Sequence, residues 1–511
     1  MDKFKRRSRA ALDRPGEDTV MKGRPPILLR VRSSTWWIAL CVGFGVLVDL
    51  SSYSLVVPVI PFRLEALGYD EIGSKTGWLV ASYAAGLIVS SPPAAIIGAK
   101  CKGRQLPLVG GLLFMLGAVI LFMEAKTYAL MIVARILQGF SGTVLWTIGL
   151  ALVTDSVPEE RAGVVIGYTM VGFSMGQAIG PPVGGALYNR WGWRAPFIFS
   201  IILVVIDLLL RLLIVEKHIA LAWIRSGVEI PNFEAPGYVD PKSLPDPTAE
   251  RDNSQSGNPA PIPLSESKST SGENGDTDGI AGRLKVPSHW RGFFYMMRDP
   301  RALTSFAITL LNGLIVGALL DTAMTIHLNK VYGLNSLGAG LVFLGTVIPT
   351  FFGSPLAGWV VDRYGTKWIM FTGVLLSVVA YPLLNIRGPL ALFIFFLVLL
   401  GTGISFFITP CTVDLSIVAA EGVGITTPHV FGMFNMAFSI GSFVGPIIGG
   451  QILAHTTTTT AWTILTVLSA AVSAACLPPI AIWVGGRLRL DKKTEIVERD
   501  ERNRREDDGR Q

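Results

Sequence analysis

The sequence predicts an all-α protein that crosses a membrane many times. Half of its 511 residues are hydrophobic and only 16% are charged, whereas about a quarter of the residues of a soluble chain are charged. The mean hydropathy is also clearly positive, at +0.50. Apolar stretches recur along the chain, and about 20 apolar residues form a helix long enough to span a bilayer. These observations exclude a soluble multidomain enzyme.

Twelve apolar stretches fall into two sets of six. The first set covers about 36–60, 76–98, 106–125, 128–153, 163–187 and 194–215. The second set covers about 301–326, 337–361, 368–386, 390–420, 429–454 and 460–484. We therefore predict two six-helix bundles, at 36–215 and 300–485.

Three polar segments complete the predicted domain organisation. Residues 1–35 form a basic tail, 216–299 a linker, and 486–511 a charged tail. The linker is rich in Pro, Ser, Asp, Glu and Gly, and such a composition cannot bury enough apolar surface to become ordered. Much of the net charge of +7 lies in the two tails. Because Lys and Arg accumulate on the cytoplasmic side of membrane proteins, we expect both termini and the linker to be cytoplasmic, and the charge does not indicate nucleic-acid binding.

A ten-residue pattern of glycine and proline, here called the Gly/Pro motif, occurs in both halves at an offset of 265 residues. Its members are Gly176, Gly180, Pro181, Gly184 and Gly185 in the fifth stretch and Gly441, Gly445, Pro446, Gly449 and Gly450 in the eleventh. The repeat indicates internal duplication and hence two pseudo-symmetric bundles. Glycines four residues apart make a flat helix face for a partner helix, and proline bends the helix.

The loop after the eighth stretch carries the pattern Gly358-x-x-x-Asp362-Arg363-x-Gly365. With this loop and the duplication, the chain resembles the major facilitator superfamily along almost all of its membrane region. The resemblance implies the major facilitator fold, in which two bundles rock around a central cavity, and it makes this loop part of a cytoplasmic gate. A solvated charged turn is the alternative. We expect Asp155 and Arg161 to form another gate pair, while the first-half copy of the loop, Gly98–Arg104, lacks the aspartate.

Three ionisable residues lie within the apolar stretches and resemble those of particular branches of this family. Asp49 precedes Val56-Val57-Pro58, as in vesicular amine transporters and fungal drug:proton antiporters. The Gly/Pro motif of the fifth stretch likewise resembles the antiporter signature, although a packing role without influence on transport direction remains open. Arg135 and Asp321 match an intramembrane arginine and an acidic residue that face the cavity. An ionisable group near the bilayer centre costs at least ~2.5–3.5 kcal/mol, so such groups serve pairing, ion movement or substrate binding.

Two departures from the amine carriers bear on coupling. Tyr83 stands where those carriers have a lysine, and Asn435 stands where they have an aspartate. Either Asp49 and Asp321 alone carry the coupling, or the substrate is less cationic than a monoamine. Asp207 and Arg211, one helical turn apart, are expected to satisfy each other. Candidates for an aromatic cavity wall, each of which could equally be a packing residue, are Tyr53, Trp146, Phe173, Phe406 and Phe438.

The sequence thus predicts a secondary active transporter, a proton-coupled antiporter that exports a cationic or amphipathic drug or secondary metabolite. An uncoupled facilitator or symporter of the same fold is one alternative, and a non-transporting membrane receptor or sensor is another. The chain has no phosphate-binding loop of the Gly-x-x-x-x-Gly-Lys-Ser/Thr type and no clustered histidines, so we expect no enzymatic activity, cofactor or metal. The expected partners are a small organic substrate, protons and the lipid bilayer of a plasma, vacuolar or vesicular membrane, with the protein as a monomer.

Overall fold

The computed structural model describes residues 25–101, 103–157, 159–228, 230, 233, 297–421 and 427–485. Most of the linker and of both tails therefore lies outside the described residues. Every regular element in the described ranges is a helix.

The described residues form twelve long helices, which we number α1 to α12. The first half contains α1 Thr35–Ser54, α2 Ile72–Lys100, α3 Gln105–Glu124, α4 Tyr128–Thr154, α5 Glu159–Trp191 and α6 Arg194–Leu212. The second half contains α7 Pro300–Tyr332, α8 Ser336–Tyr364, α9 Thr366–Leu383, α10 Leu390–Glu421, α11 Thr427–His455 and α12 Thr458–Ala474. Four short helices accompany them: Leu29–Arg32, Ile60–Ala66, Lys217–Arg225 and Leu477–Trp483. The predicted all-α fold of two six-helix halves is confirmed.

Ten helices of the described chain are long and apolar enough to cross a membrane by length and composition. The other two long helices are α2 and α5, with 29 and 33 residues. Both exceed the roughly 20 residues that a span needs, but they are diluted by glycine, serine and proline. These small residues suit them to close contact with other helices.

Local sequence explains where several helices begin and end. The side chains of Ser34, Thr127 and Asn335 accept hydrogen bonds from backbone N–H groups in the first turns of α1, α4 and α8, which satisfies donors that a helix leaves free. Gly333 ends α7 with φ 65°, and Gly365 separates α8 from α9 with φ 82°. Both turns need a backbone conformation that glycine adopts without strain.

The helix α7 is not a regular α-helix throughout. Its middle nine residues, Val316–Met324, form a π-helix between the α-helical segments Pro300–Ile315 and Thr325–Tyr332. The Thr322 hydroxyl donates to the Gly317 carbonyl five residues earlier, which matches the wider turn. π-Helical turns are rare and occur frequently at functional sites, and Asp321 lies in this one.

The helices traverse the bundle alternately, so each half has two ends. We call the end where α1 begins and α12 leads out the terminal side, and the opposite end, where α1 leads into α2, the distal side. Within the halves, α5 packs along α1 and α11 along α7. Between the halves, α2 packs on α11 and α5 packs on α8.

Four hydrogen bonds join the halves within the described residues, and all four lie toward the distal side. Their pairs are Tyr53–Asp321, Ser74–Gln451, Gly185–Ser336 and Asn189–Asn335. Glycine permits backbone contact beside them, because a Cβ at Gly450 would lie 2.8 Å from the Gly73 carbonyl oxygen. The two halves are thus closed against each other on the distal side.

Candidate functional site

The carboxylate of Asp49 is fully buried. Asp49 lies ~20 Å along α1 from the first residue of this helix at ~1.5 Å per residue, in its distal third. Its Oδ2 accepts hydrogen bonds from the Tyr83 hydroxyl at 3.2 Å and from Trp146 Nε1 at 3.1 Å. Its Oδ1 is buried and receives no hydrogen bond from the protein. Because both donors are neutral, this carboxylate has no cationic side-chain partner, and Oδ1 is free to accept one from a ligand.

A glycine opens the space beside this carboxylate. A Cβ on Gly142 of α4 would lie 3.1 Å from both oxygens of Asp49 and 3.0 Å from the Tyr83 hydroxyl. The indole of Trp146, on the same helix, packs edge-on against Phe173 of α5 with ring centroids 5.7 Å apart. Trp146 therefore contacts the acid directly, and Phe173 contacts the Trp146 ring; their role as a cavity wall stays a prediction.

The acidic residue of the second half joins the same cluster. Oδ2 of Asp321 accepts a hydrogen bond of 2.8 Å from the Tyr53 hydroxyl, which lies one turn beyond Asp49 on α1. The ring of Tyr53 packs on that of Tyr83 with centroids 4.6 Å apart. The two acids, one from each half, are thus connected through two packed tyrosines.

The guanidinium of Arg135 is buried among aromatic rings in this cluster. Its Cζ lies 5.1 Å from the ring centroid of Tyr53, 5.9 Å from that of Tyr83 and 5.4 Å from that of Phe122. Nη1 donates to Gln138 Oε1 at 3.0 Å, whereas Nε and Nη2 donate to no protein group. No carboxylate oxygen of the described residues lies within 4.0 Å of this guanidinium, the limit for an ion pair. Cation–π contacts stabilise such a charge by about 2 kcal/mol or more when it is desolvated, less than a buried charge costs without a partner.

The remaining residue proposed for this cavity lies apart from the cluster. Asn435 is half-buried in the terminal-side part of α11, and no hydrogen bond among the described residues connects it to Asp49 or Asp321. Phe406 packs with Ala357, Val361 and Ile369 between helices of the second half. Four of the five residues predicted for coupling or substrate binding are therefore brought together: Asp49, Tyr83, Arg135 and Asp321.

The residues predicted to form gates lie on the terminal side, with partners that the sequence did not reveal. Asp155 forms an ion pair of 2.9 Å with Arg104, which ends the first-half copy of the gate loop. The side chains of Arg161 and Asp362 lie outside the described ones, so the pairing of Asp155 with Arg161 stays a prediction. Arg363 is exposed and lies over the ring of Trp359 at 4.2 Å.

The second half contains a buried carboxylate on the same side. Asp414 of α10 pairs with Arg301 of α7 at 2.6 Å and accepts a hydrogen bond of 3.0 Å from Thr366 of α9. It therefore holds three helices of one half together. The Arg301–Asp414 pair was missed from the sequence, although an arginine in the first turn of a spanning helix is a recognisable signal.

Asp207 and Arg211 pair with each other, as expected, inside the first half. Arg211 Nε lies 3.3 Å from Asp207 Oδ1, and both side chains are buried. A Cβ on Gly45 of α1 would overlap the Arg211 guanidinium, so the glycine makes room for the pair. The pair lies between α1 and α6, beside Gly45 one turn of α1 before Asp49, and no hydrogen bond of the described residues joins it to the cluster.

The Gly/Pro motifs make contacts that are equivalent in the two halves. A Cβ at Gly184 would overlap the carbonyl of Leu55, the residue that caps α1, and a Cβ at Gly449 would lie 2.6 Å from the Ala318 carbonyl of α7. The proline carbonyls face glycines of the opposite half: Pro181 faces Gly340, and Pro446 faces Gly77. Further motif glycines whose Cβ would meet the first helix of their own half are Gly176, Gly180, Gly441 and Gly445.

Comparison with known proteins identifies the family of this architecture. The model of the Major Facilitator Superfamily matches residues 42–335 and 301–504. An MFS-type transporter, ppzB of Metarhizium majus, is 30% identical over 441 residues, which cover 80% of this chain and 92% of that one. The synaptic vesicular amine transporter of Bos taurus is 22% identical over 385 residues, with coverages of 74% and 61%.

A solved structure has the same fold. The bacterial homologue of the human lysosomal transporter Spinster, in an inward-facing and unoccupied conformation, aligns with a TM-score of 0.59 and 13% identity, and the alignment covers 90% of this chain and 97% of that one. With the family model matching both halves, the chain belongs to the major facilitator superfamily of membrane transporters.

Proposed function

We propose that this transporter is a proton-coupled antiporter that exports a small cationic or amphipathic organic compound from the cytoplasm by alternating access. The observation that carries the proposal is the cluster between the halves: two carboxylates, the buried Asp49 and the partly buried Asp321, connected by tyrosines beside the buried cation of Arg135. An ion pair with a purely structural role would not need this network of acids and tyrosines, since each charge would satisfy the other.

The free oxygen of Asp49 supports exchange between a proton and a cation. Oδ1 is buried and accepts no hydrogen bond from the protein, so it can bind either a proton or an organic cation. Binding of the proton neutralises the carboxylate and so weakens its attraction for the cation. Tyr83 and Trp146 bond the other oxygen of this carboxylate, and Phe173 contacts the Trp146 ring; these aromatic surroundings suit an amphipathic substrate. The related amine transporter, by its name, carries amines, in agreement with this class.

The packing of the halves supports alternating access. They are closed on the distal side through neutral hydrogen bonds, glycine contacts and the Tyr53–Asp321 bond. If the basic tails place the termini in the cytoplasm, this structure is closed toward the exterior or the organelle lumen. The partners in the proposal are the organic substrate, protons and the bilayer, and the protein acts as a monomer in a plasma, vacuolar or vesicular membrane.

A charge-removing substitution tests the proposal. The substrate is first identified as the compound most retained by cells that lack the protein, and its uptake into vesicles is then driven by an imposed pH gradient. We expect Asp49→Asn to lower this uptake by about ten- to a hundredfold, because hydrogen bonds to charged groups contribute about 1.5–3 kcal/mol.

Asp70→Asn is the matched control, since Asp70 is exposed in the loop between α1 and α2; it should transport normally. Undiminished gradient-driven uptake by Asp49→Asn would refute the role of this acid. Uptake that persists in the parent protein after the gradient is collapsed would instead favour a facilitator. Asn435 would suit a facilitator, because its side chain does not titrate. Binding of the compound without counterflow would favour a receptor.

A further inference from the structure

We propose that the Tyr53–Asp321 hydrogen bond is the contact through which protonation controls closure of the distal side. Tyr53 then acts as a positioning residue that holds the halves together when Asp321 is ionised and releases them when it is protonated. The inference rests on the proposed proton-coupled function and deepens it, because it assigns the coupling step to one hydroxyl group.

This contact differs chemically from the others that join the halves. The remaining three hydrogen bonds between the halves in the described residues connect neutral groups: Ser74 with Gln451, Gly185 with Ser336, and Asn189 with Asn335. The Tyr53 hydroxyl donates to a carboxylate, at 2.8 Å. Among these four bonds, therefore, it alone changes strength when a proton binds to one partner.

The size of that change is set by charge. A hydrogen bond with an ionised partner is roughly twice as strong as one between neutral groups. Protonation of Asp321 thus weakens a bond that exists only while the distal side is closed. By thermodynamic linkage, the closed form disfavours the proton to the same extent that the proton disfavours the closed form. One hydroxyl group can thereby connect proton binding with the conformational equilibrium.

The surroundings hold the hydroxyl in place and add the other charged groups. Among the described residues, the titratable or charged groups that face this contact are Tyr83 of α2, Arg135 of α4 and, through Tyr83, Asp49 of α1. On its other side, α7 faces the Gly/Pro motif of α11, where Pro446 meets Gly317. The Tyr53 ring is therefore fixed by packing, and substitution by phenylalanine should preserve that packing while removing only the hydroxyl.

Asp321 also lies on a segment suited to rearrangement. It belongs to the π-helix Val316–Met324, whose hydrogen-bond geometry is uncommon and is found mostly as single turns. Loss of the bond to Tyr53 removes one contact that fixes the Asp321 side chain on this segment. The carboxylate can then turn with α7 as the halves part.

The test measures closure directly and needs no substrate. Spin labels are attached to cysteines introduced at Asp70 and Val331, which are exposed on the distal side of opposite halves, in protein whose four native cysteines are replaced. Distances are measured by pulsed electron resonance in lipid vesicles at high and low pH. In the parent, lowering the pH should increase the long-distance population. Tyr53→Phe should raise that population about tenfold at high pH, a change equivalent to ~1.4 kcal/mol, and should remove most of its pH dependence.

Tyr128→Phe is the matched control, because it removes a partly buried tyrosine hydroxyl whose bond to the Lys75 carbonyl lies within the first half and outside the cluster; its distances should follow the parent. Asp321→Asn should be insensitive to pH, like Tyr53→Phe. A Tyr53→Phe protein that still closes at high pH and opens at low pH would overturn the inference. That result would leave the proposed antiport intact, since antiport is tested by flux and closure is tested here without substrate.

Discussion

Buried charges in this protein are of two kinds, distinguished by their partners. Asp207 and Arg211 pair with each other inside the first half, whereas Asp49 and Arg135 are surrounded by neutral donors and aromatic rings. A pair within one half keeps its opposite charges together in every state of transport, even though Asp207 Oδ2 and Arg211 Nη1 form no further hydrogen bond. Charges without such a partner retain binding capacity, which is the property that a site for protons and cations requires.

The Asp207–Arg211 pair should therefore affect stability rather than coupling. Arg211→Met leaves a buried carboxylate without its cation, and we expect it to lower the free energy of unfolding by about 3–5 kcal/mol. The double variant Arg211→Met, Asp207→Leu should lie near the parent, because no unpaired charge remains. Thermal unfolding in detergent compares the three proteins. A double variant as unstable as the single one would show that the pair itself supports the fold.

At the level of helices, the Gly/Pro motif has two faces. Gly184 and Gly449 face the first helix of their own half, whereas Gly185 and Gly450 face the opposite half at Ser336 and Gly73. The consecutive glycines thus let one helix approach two others. A packing role for the motif is sufficient to explain these contacts. The helix that carries the motif also contributes to the interface between the halves, which must open during transport.

A pair of alanine substitutions in α5 tests the packing role. Gly184→Ala places a Cβ against the Leu55 carbonyl, whereas Gly167→Ala, on the same helix, meets open space. We expect Gly184→Ala to destabilise the protein by about 1–3 kcal/mol through overpacking. Gly167→Ala should be neutral or stabilising by up to about 1 kcal/mol, from helix propensity. Equal unfolding temperatures for the two variants would contradict this packing.

The sequence was sufficient for the helices but not for the contacts between them. Each of the twelve predicted apolar stretches corresponds to one of the twelve long helices, and the duplication relates the two halves, because both signals are local or periodic. The bond between Tyr53 and Asp321 joins positions 268 residues apart, and no periodicity encodes such a contact. The π-helix around Asp321 was also missed, as was the break in the first stretch, where α1 ends at Ser54 and a separate helix begins at Ile60.

At the scale of the whole molecule, the duplication is preserved in the contacts. Gly77 and Gly340, which meet the proline carbonyls of the opposite halves, lie 263 positions apart. The same separation relates Leu55 to Ala318, the partners of Gly184 and Gly449. Terminal-side bonds such as Arg104–Asp155 and Arg301–Asp414 lie within single halves. Each half is therefore joined within itself, and movement between rigid halves is the motion that this arrangement favours.

A covalent bond between the halves should therefore stop transport, and one within a half should not. Asn189 and Asn335 contact each other across the distal interface at 3.2 Å, and both are exposed. Glu124 and Arg194 form an equally accessible pair at 2.8 Å within the first half. Cysteines at each pair are cross-linked with a short thiol reagent in vesicles, in a background without native cysteines. We expect the first cross-link to reduce flux to the level of empty vesicles and the second to leave most of it. Unimpaired flux through the Asn189→Cys, Asn335→Cys protein, once cross-linking is complete, would mean that the distal side does not open during transport, because a closed interface cannot separate while it is covalently bridged.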